Sequence, residues 1–333
     1  MAVGVTLLAV TVAGSAACGG RRSGATAEGG GGAITCRVDK ETRLAMATGN
    51  ATGVYYALGN AYALQVKSNS ANKIQATAAE TGASVQNIQQ LVAGEYQVAF
   101  SLFDTAIDAV QGKGSFDGKK QSIQALARIY DNYTHVIVRA DSGINSMADM
   151  KGKRISTGSP KSGTEVIAWR LLKAAGVDPE KDITPQRLDL AKSVDGMKDG
   201  SIDGLVWSGG LPTPGITDLF TTLGDKVKFV EVTGLLTKLR ESNQAYQAAS
   251  IPASTYRTRV DIPTIVVPNV LLAKGDLDGN VACVLVRTLF DRHDELIKAN
   301  AAAKGISLET ARKTDPVPLH RGAQEALDKL GAK

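Results

Sequence analysis

Residues 47–59 read Ala47-Thr48-Gly49-Asn50-Ala51-Thr52-Gly53-Val54-Tyr55-Tyr56-Ala57-Leu58-Gly59, and the fold is decided there. The run 42–47 alternates as a half-buried strand does. It breaks at Gly49, and from Val54 the apolar residues (Val54, Leu58, Ala61, Leu64) recur at three- and four-residue spacing, which predicts a helix. A strand, a loop of small residues and a helix start aim unpaired backbone N–H groups and the positive end of a dipole at one point. Such a point favours a carboxylate or phosphate. Thr48, Asn50 and Thr52 add side-chain hydrogen-bonding groups, and Gly49 and Gly53 let a ligand approach the backbone. An ordinary βα turn has the same features; the recurrence of the construction further on makes this one a candidate site.

The chain has 333 residues, 43% hydrophobic and 21% charged, which is a globular composition with room for about two domains. Its net charge of +5 comes from scattered lysines and arginines with no basic run interleaved with aromatics, so nucleic acid is not expected as a partner. Residues 1–17 are uncharged, and 3–13 form an apolar run of signal-peptide length, too short to span a bilayer. Ser15-Ala16-Ala17-Cys18-Gly19-Gly20 then resembles a bacterial lipobox, departing from it at Ser15. The expectation is an exported chain lipidated at Cys18, held at the outer face of the cytoplasmic membrane or in the periplasm. Residues 18–40 form the anchored tether, rich in Gly, Ala, Ser and Thr through Gly29-Gly30-Gly31-Gly32. Cys36 and Cys283 are then a candidate disulfide, with two buried thiols as the alternative.

Beyond residue 41 strands and helices alternate. Strands are predicted at 74–78, 96–100, 125–130, 135–138, 154–157, 185–190 and 202–207, with Asp131-Asn132 as a turn and 252–256 and 263–267 extended. Ser84 is placed to cap a helix carrying Val85, Ile88 and Leu91; Gly94 ends it. A second helix follows Gly158-Ser159-Pro160-Lys161-Ser162-Gly163-Thr164. A third follows Ser208-Gly209-Gly210-Leu211-Pro212-Thr213-Pro214, with a proline suited to its first position. Two segments thus share one plan: helix, glycine, apolar strand, ligand-facing loop. Each reads as half of an open α/β sheet.

Taken together, these motifs resemble the TAXI-type solute receptors of tripartite ATP-independent periplasmic (TRAP) transporters. The stretches that carry the likeness are Ala47 through Tyr56, Leu91-Val92-Ala93-Gly94-Glu95, Val138-Arg139-Ala140-Asp141-Ser142-Gly143-Ile144, Met147-Ala148-Asp149-Met150-Lys151-Gly152-Lys153, Gly158 through Thr164 and Leu211-Pro212-Thr213-Pro214. They run in order from about Arg43 to His320. The resemblance implies a two-lobed periplasmic-binding-protein fold of type II, with open α/β lobes, hinge strands and a ligand cleft between. The lobes are expected at 41–138 plus 255–333 and at 139–254. It implies a monomeric receptor without catalysis or cofactor, capturing a small organic acid, dicarboxylate or amino-acid-like, for sodium-driven TRAP membrane subunits. An ABC importer or a sensor kinase is the alternative recipient. The ligand-binding residues it implies are Thr48, Asn50, Gly53, Tyr55 and Tyr56; Thr157, Ser159, Ser162, Gly163 and Thr164; and Trp207, Ser208, Gly209 and Gly210. Thr81 and Ser84, in the loop before the second helix, join them. After Phe100 the family's polar pair is replaced by Ser101-Leu102-Phe103, a more apolar wall, and Ser101 and Phe103 are further candidates.

Other chemistries find no support. Thr164-Glu165 follow Gly163 where a Walker A loop needs Lys then Ser or Thr. The histidines lack zinc spacing; only His135, near a strand end at the expected hinge, stays a ligand candidate. Asp276-Leu277-Asp278-Gly279-Asn280 has its glycine in the wrong place for an EF-hand, and Ser208-Gly209 is no nucleophile elbow. Tyr55 and Tyr56, adjacent on a helix, cannot face the same way.

Overall fold

The first half of the chain runs β1 (Thr42–Ala47), α1 (Val54–Asn69), β2 (Ile74–Ala79), α2 (Ser84–Ala93), β3 (Val98–Leu102), α3 (Phe103–Gln111) and β4 (Gln124–Arg139). Next come β5 (Arg154–Ser156), α4 (Gly163–Ala174), β6 (Thr184–Gln186), α5 (Leu190–Asp199), β7 (Gly204–Gly209), α6 (Pro214–Leu223) and β8 (Val227–Phe229). The chain then returns through α7 (Leu236–Ser242), β9 (Gln247–Ile251), α8 (Ala253–Tyr256) and β10 (Ile262–Ala273). It closes with α9 (Gly279–Asp291), α10 (His293–Ala299), α11 (Leu308–Ala311) and α12 (Arg321–Lys329). This computed structural model describes Met1, Ala2 and residues 32–333. Cys18 and residues 3–31 of the expected signal peptide and tether lie outside the described residues.

The strands form one mixed sheet in the order β2-β1-β3-β10-β4-β7-β5-β6, with β8 against β4 and β9 against β10. Parallel β1, β2 and β3 make one end; parallel β5, β6 and β7 make the other. Two long strands join them. β10 pairs β3 through 269–273 and β9 through 262–266. β4 pairs β10 up to Tyr133 and β7 through 133–138. Each long strand therefore belongs to one lobe at one end and to the other lobe at the other, which makes the pair a hinge between two α/β lobes.

Local chemistry accounts for the elements. α1 buries Leu58, Tyr62 and Val66 at four-residue spacing. Gly94 and Gly200 take φ of +83° and +79° and stop α2 and α5 in the left-handed conformation. Pro214 opens α6, and Asp278 accepts the N–H groups of Asn280 and Val281 to cap α9. α9 and α12 cover the first lobe with Val281, Leu285, Leu289, Ala323 and Leu327. Leu190, Val194, Ile216 and Leu219 fill the second. Cys36 and Cys283 form a disulfide, with Cα atoms 5.1 Å apart, tying the start of the compact unit (Ile34–Lys333) to α9.

The sequence reading needs correction in four places. Asp131-Asn132 is no turn: β4 runs unbroken, because its halves find ladder partners on different strands. The strand before the Ser101 loop is 98–102, so Ser101 and Leu102 are sheet residues. Residues 253–256 form a helical turn, and Tyr256 packs on Phe220 and Phe229 of the second lobe, so a lobe boundary at 254 cuts α8. The sequence pattern predicts one helix over 281–301, and it breaks at Arg292 into α9 and α10.

Candidate functional site

A cleft of about 410 Å³, open mouth included, lies where the two lobes meet. The first lobe lines it with Gly49, Asn50, Gly53, Val54, Tyr55, Ala83, Ser84 and Leu102. The second lobe adds Ser162, Gly163, Thr164, Trp207, Ser208 and Gly209, and the hinge strand β4 adds Asn132. The helices α1, α2 and α4, of 16, 10 and 12 residues, all begin in this wall. Their first turns present backbone N–H groups with no intrahelical acceptor. Gly53 and Ala83, which precede α1 and α2, supply no side-chain cap. Ala83 sits at φ +78°, ψ −151°, a conformation rare for any residue with a Cβ, and this strain is held at the cleft.

The lobes touch across the cleft. Asn50 Nδ2 donates to Ser159 Oγ at 3.3 Å, and the Leu190 N–H donates to Asn50 Oδ1 at 3.4 Å. The Gln86 N–H donates to the Lys161 carbonyl at 3.1 Å. A Cβ built on Gly163 would stand 2.5 Å from Leu102 Cδ1 and 2.7 Å from Ser84 Oγ, so only glycine lets α4 approach β3 this closely. At Gly53 a Cβ would meet the Trp207 ring at 3.3 Å. This is a closed arrangement.

Behind the cleft runs a buried amide relay. Tyr55 Oη donates to Asn269 Oδ1 at 2.5 Å, Asn269 Nδ2 donates to Asn132 Oδ1 at 2.8 Å, and Asn132 Nδ2 donates to the Ser208 carbonyl at 3.2 Å. The relay crosses from α1 through β10 and β4 to β7, and burial drives the Tyr55 phenol far above its ordinary value. Ser208 Oγ, in a residue 5% exposed, has no hydrogen-bond partner among the described residues.

The cleft thus brings together Gly49, Asn50, Gly53, Tyr55, Ser84, Ser162, Gly163, Thr164, Trp207, Ser208 and Gly209 of the expected set. Ser159 reaches it through Asn50. Of the tyrosine pair, Tyr55 faces the cleft and Tyr56 does not. Several expected residues fall elsewhere. Thr48 gives its hydroxyl to the Ala79 carbonyl at 2.5 Å, a strand-to-strand tie. Thr52 turns toward Gly215 with its hydroxyl unpartnered. Thr81 bonds Asn87 at 2.6 Å and shapes the turn into α2. Ser101 points at the Leu102 carbonyl at 2.9 Å, on the sheet face away from the cleft. Phe103 lines a separate groove with Arg240 and Pro316. Thr157 is buried beside β6 through a backbone bond to Gln186, and Gly210 packs against Tyr130 and Ala302. His135 is buried in the second lobe between Phe229 and Tyr256, with Nδ1 2.9 Å from the Tyr133 carbonyl and Nε2 3.0 Å from Tyr256 Oη. Burial lowers its pKa to about 4. Sequence reasoning missed Val54, Ala83, Leu102, Asn132 and Asn269. The apolar run 265–273 could have flagged Asn269 as a polar residue inside a strand; Asn132, beside Asp131 in a strand that also carries Arg128, Thr134 and His135, gave no such signal.

The NMT1-like family model matches residues 46–331. The binding-protein component of an ABC phosphonate transporter from Pseudomonas aeruginosa superposes with a TM-score of 0.55 at 14% identity, over 80% of each chain. A protein of Bordetella bronchiseptica RB50 gives 0.51 at 17% identity, over 86% of this chain and 81% of that one. The alkanesulfonate-binding protein SsuA from Xanthomonas axonopodis pv. citri gives 0.48 at 15%, over 87% and 84%. The architecture described above is the two-lobed periplasmic-binding-protein fold.

Proposed function

We propose that this chain, which belongs to the NMT1-like family, is an extracytoplasmic solute-binding receptor that captures a small organic acid by lobe closure and hands it to TRAP membrane subunits. The observation that carries the reading is the convergence of the α1, α2 and α4 N-termini on one interlobe cleft. The Ser208 hydroxyl, buried and unpartnered in the cleft wall, supports it. The lobes touch across the cleft in this closed arrangement, so a ligand enters when they part and is enclosed when they return. The Cys36–Cys283 disulfide supports an exported location, since such bonds persist in oxidising compartments. Lipidation at Cys18 and a monomeric state belong to the same reading. The TAXI-type motif order is what favours TRAP subunits over an ABC importer as the recipient.

Thermal unfolding with a panel of carboxylates tests the function. A ligand at 100 times its Kd adds about 2.7 kcal/mol of stability, a shift readily seen. Stabilisation by no carboxylate overturns the reading. Gly163→Asp locates the site: the carboxylate would occupy the α4 N-terminus and its Cβ would strike Leu102 and Ser84. Binding is lost while the lobes stay folded; unchanged affinity removes this loop from the site.

A further inference from the structure

Among the described residues, none that lines the cleft carries a charge. Of the charged groups nearby, Lys161 and Glu80 are exposed and do not line the cleft, and Glu165 and Asp104 are already paired. Glu165, in the first turn of α4, is held by the Arg187 guanidinium and the Lys161 N–H. Asp104 is bound to Arg170 at 2.9 Å and to the Tyr246 hydroxyl at 2.6 Å. The positive potential in the cleft therefore comes from backbone alone: three helix ends, each worth about half an elementary charge. That sum, roughly one and a half positive charges, matches one carboxylate and falls short of two. An ammonium finds no carboxylate to receive it and faces three positive helix ends. Val54, Leu102 and Trp207 supply an apolar wall, and the polar side chains beside them, from Asn50 and Tyr55 to Thr164, are already hydrogen-bonded within the protein.

Building on the receptor reading, we propose that the cleft selects a small monocarboxylate with an uncharged body, against dicarboxylates and α-amino acids. The carboxylate lies at the helix ends and accepts a hydrogen bond from the Ser208 hydroxyl, the one lining side chain that is both buried and unpartnered among the described residues. The uncharged body packs on Trp207 and Leu102. A second carboxylate, or an ammonium, has to shed its water against these apolar groups and against polar side chains already bonded within the protein, with no opposite charge in return.

Calorimetric titration with matched acids tests this. Each set holds one carbon skeleton and changes only its charge: butanoate, succinate and 2-aminobutanoate; pentanoate, glutarate and norvaline; hexanoate, adipate and norleucine. In the set whose skeleton fits, the monocarboxylate binds at least tenfold tighter than its two companions, and Ser208→Ala weakens it several-fold without lowering the melting temperature of the free protein. A dicarboxylate or amino acid binding as tightly as its monocarboxylate overturns the selectivity and leaves the receptor reading standing. Binding by no member of any set overturns both.

Discussion

Tyr55 and Asn269 are joined by a 2.5 Å hydrogen bond from the phenol to Oδ1, and through it the helix that opens the cleft is fastened to a hinge strand. Both partners are buried, so neither regains water if the other is removed. Tyr55→Phe keeps the ring on Phe100, at a 5.4 Å centroid distance, but leaves the amide oxygen of Asn269 without its donor. The expected loss is about 1–2 kcal/mol in chemical denaturation. Tyr56→Phe, outside the relay, stays within about 0.5 kcal/mol of the parent. Equal losses would show that the relay does not stabilise the hinge.

Asn50 is the only lining side chain that bonds the opposite lobe through both its amide oxygen and its amide nitrogen, at Leu190 and Ser159. Those bonds exist only when the lobes are closed. Asn50→Ala therefore weakens ligand binding about five- to tenfold, the worth of roughly 1 kcal/mol of lost hydrogen bonding, and barely moves the stability of the free protein. Small-angle scattering checks the cause: the variant is more extended at low ligand and compacts to the parent's dimensions at saturation.

His135 gives the protein an acid-sensitive core. In the unfolded chain it takes a proton near pH 6.5, whereas burial holds its folded pKa at about 4. Between those values the unfolded state binds more protons, so stability falls as pH drops through this window, by up to ~3 kcal/mol. His135→Gln flattens that part of the denaturation profile. Because His135 faces Phe229 and Tyr256 and not the cleft, ligand affinity at pH 7.5 is unchanged.

A second interlobe contact is ionic. Arg170 of α4 reaches Asp104 at 2.9 Å and Asp108 at 2.5 Å, both on α3, and the Asp104 side chain is 0% exposed. Removing the cation strands two buried carboxylates, so Arg170→Met costs about 3–5 kcal/mol in denaturant unfolding. Burial, outweighing Arg170, raises the pKa of Asp108 above its ordinary value. The folded state then holds that proton more tightly than the unfolded chain, and the contribution of Asp108 to stability declines as pH rises from about 4 through its raised pKa. Asp108→Asn removes that decline and costs less than Arg170→Met.

Much of this was legible in the chain. The βα junction at Gly49–Val54, the stop of α2 at Gly94 and a proline opening α6 follow from short-range rules and stand at the predicted elements, whereas the cap expected at Ser84 does not: Ala83 holds the N-cap position and Ser84 Oγ accepts the Leu102 N–H. What failed to show was long-range. β4 looked like two strands because the polar pair Asp131-Asn132 interrupts it, yet Asn132 is buried to satisfy Ser208 and Asn269, more than 70 and 130 residues away. Ser101 and Leu102 are neighbours in sequence, but the pleat sends Leu102 to the cleft and Ser101 to the other face. His135, expected near a strand end, lies inside β4 opposite Trp207, and the direction of its side chain depends on Tyr256, 121 residues on. Thr48, second in the quoted stretch, serves the sheet and not the ligand.

Trp207 offers the most direct test of the central claim, that a small carboxylate is enclosed between the α1 and α4 N-termini. Its ring lies against Gly53 in the cleft wall, and the chain has 2 tryptophans, so Trp169→Phe leaves Trp207 as the sole emitter. The account predicts a saturable change in Trp207 emission, with the same Kd as the carboxylate that raises the melting temperature. A carboxylate that stabilises the protein at saturation while Trp207 emission stays constant would contradict it.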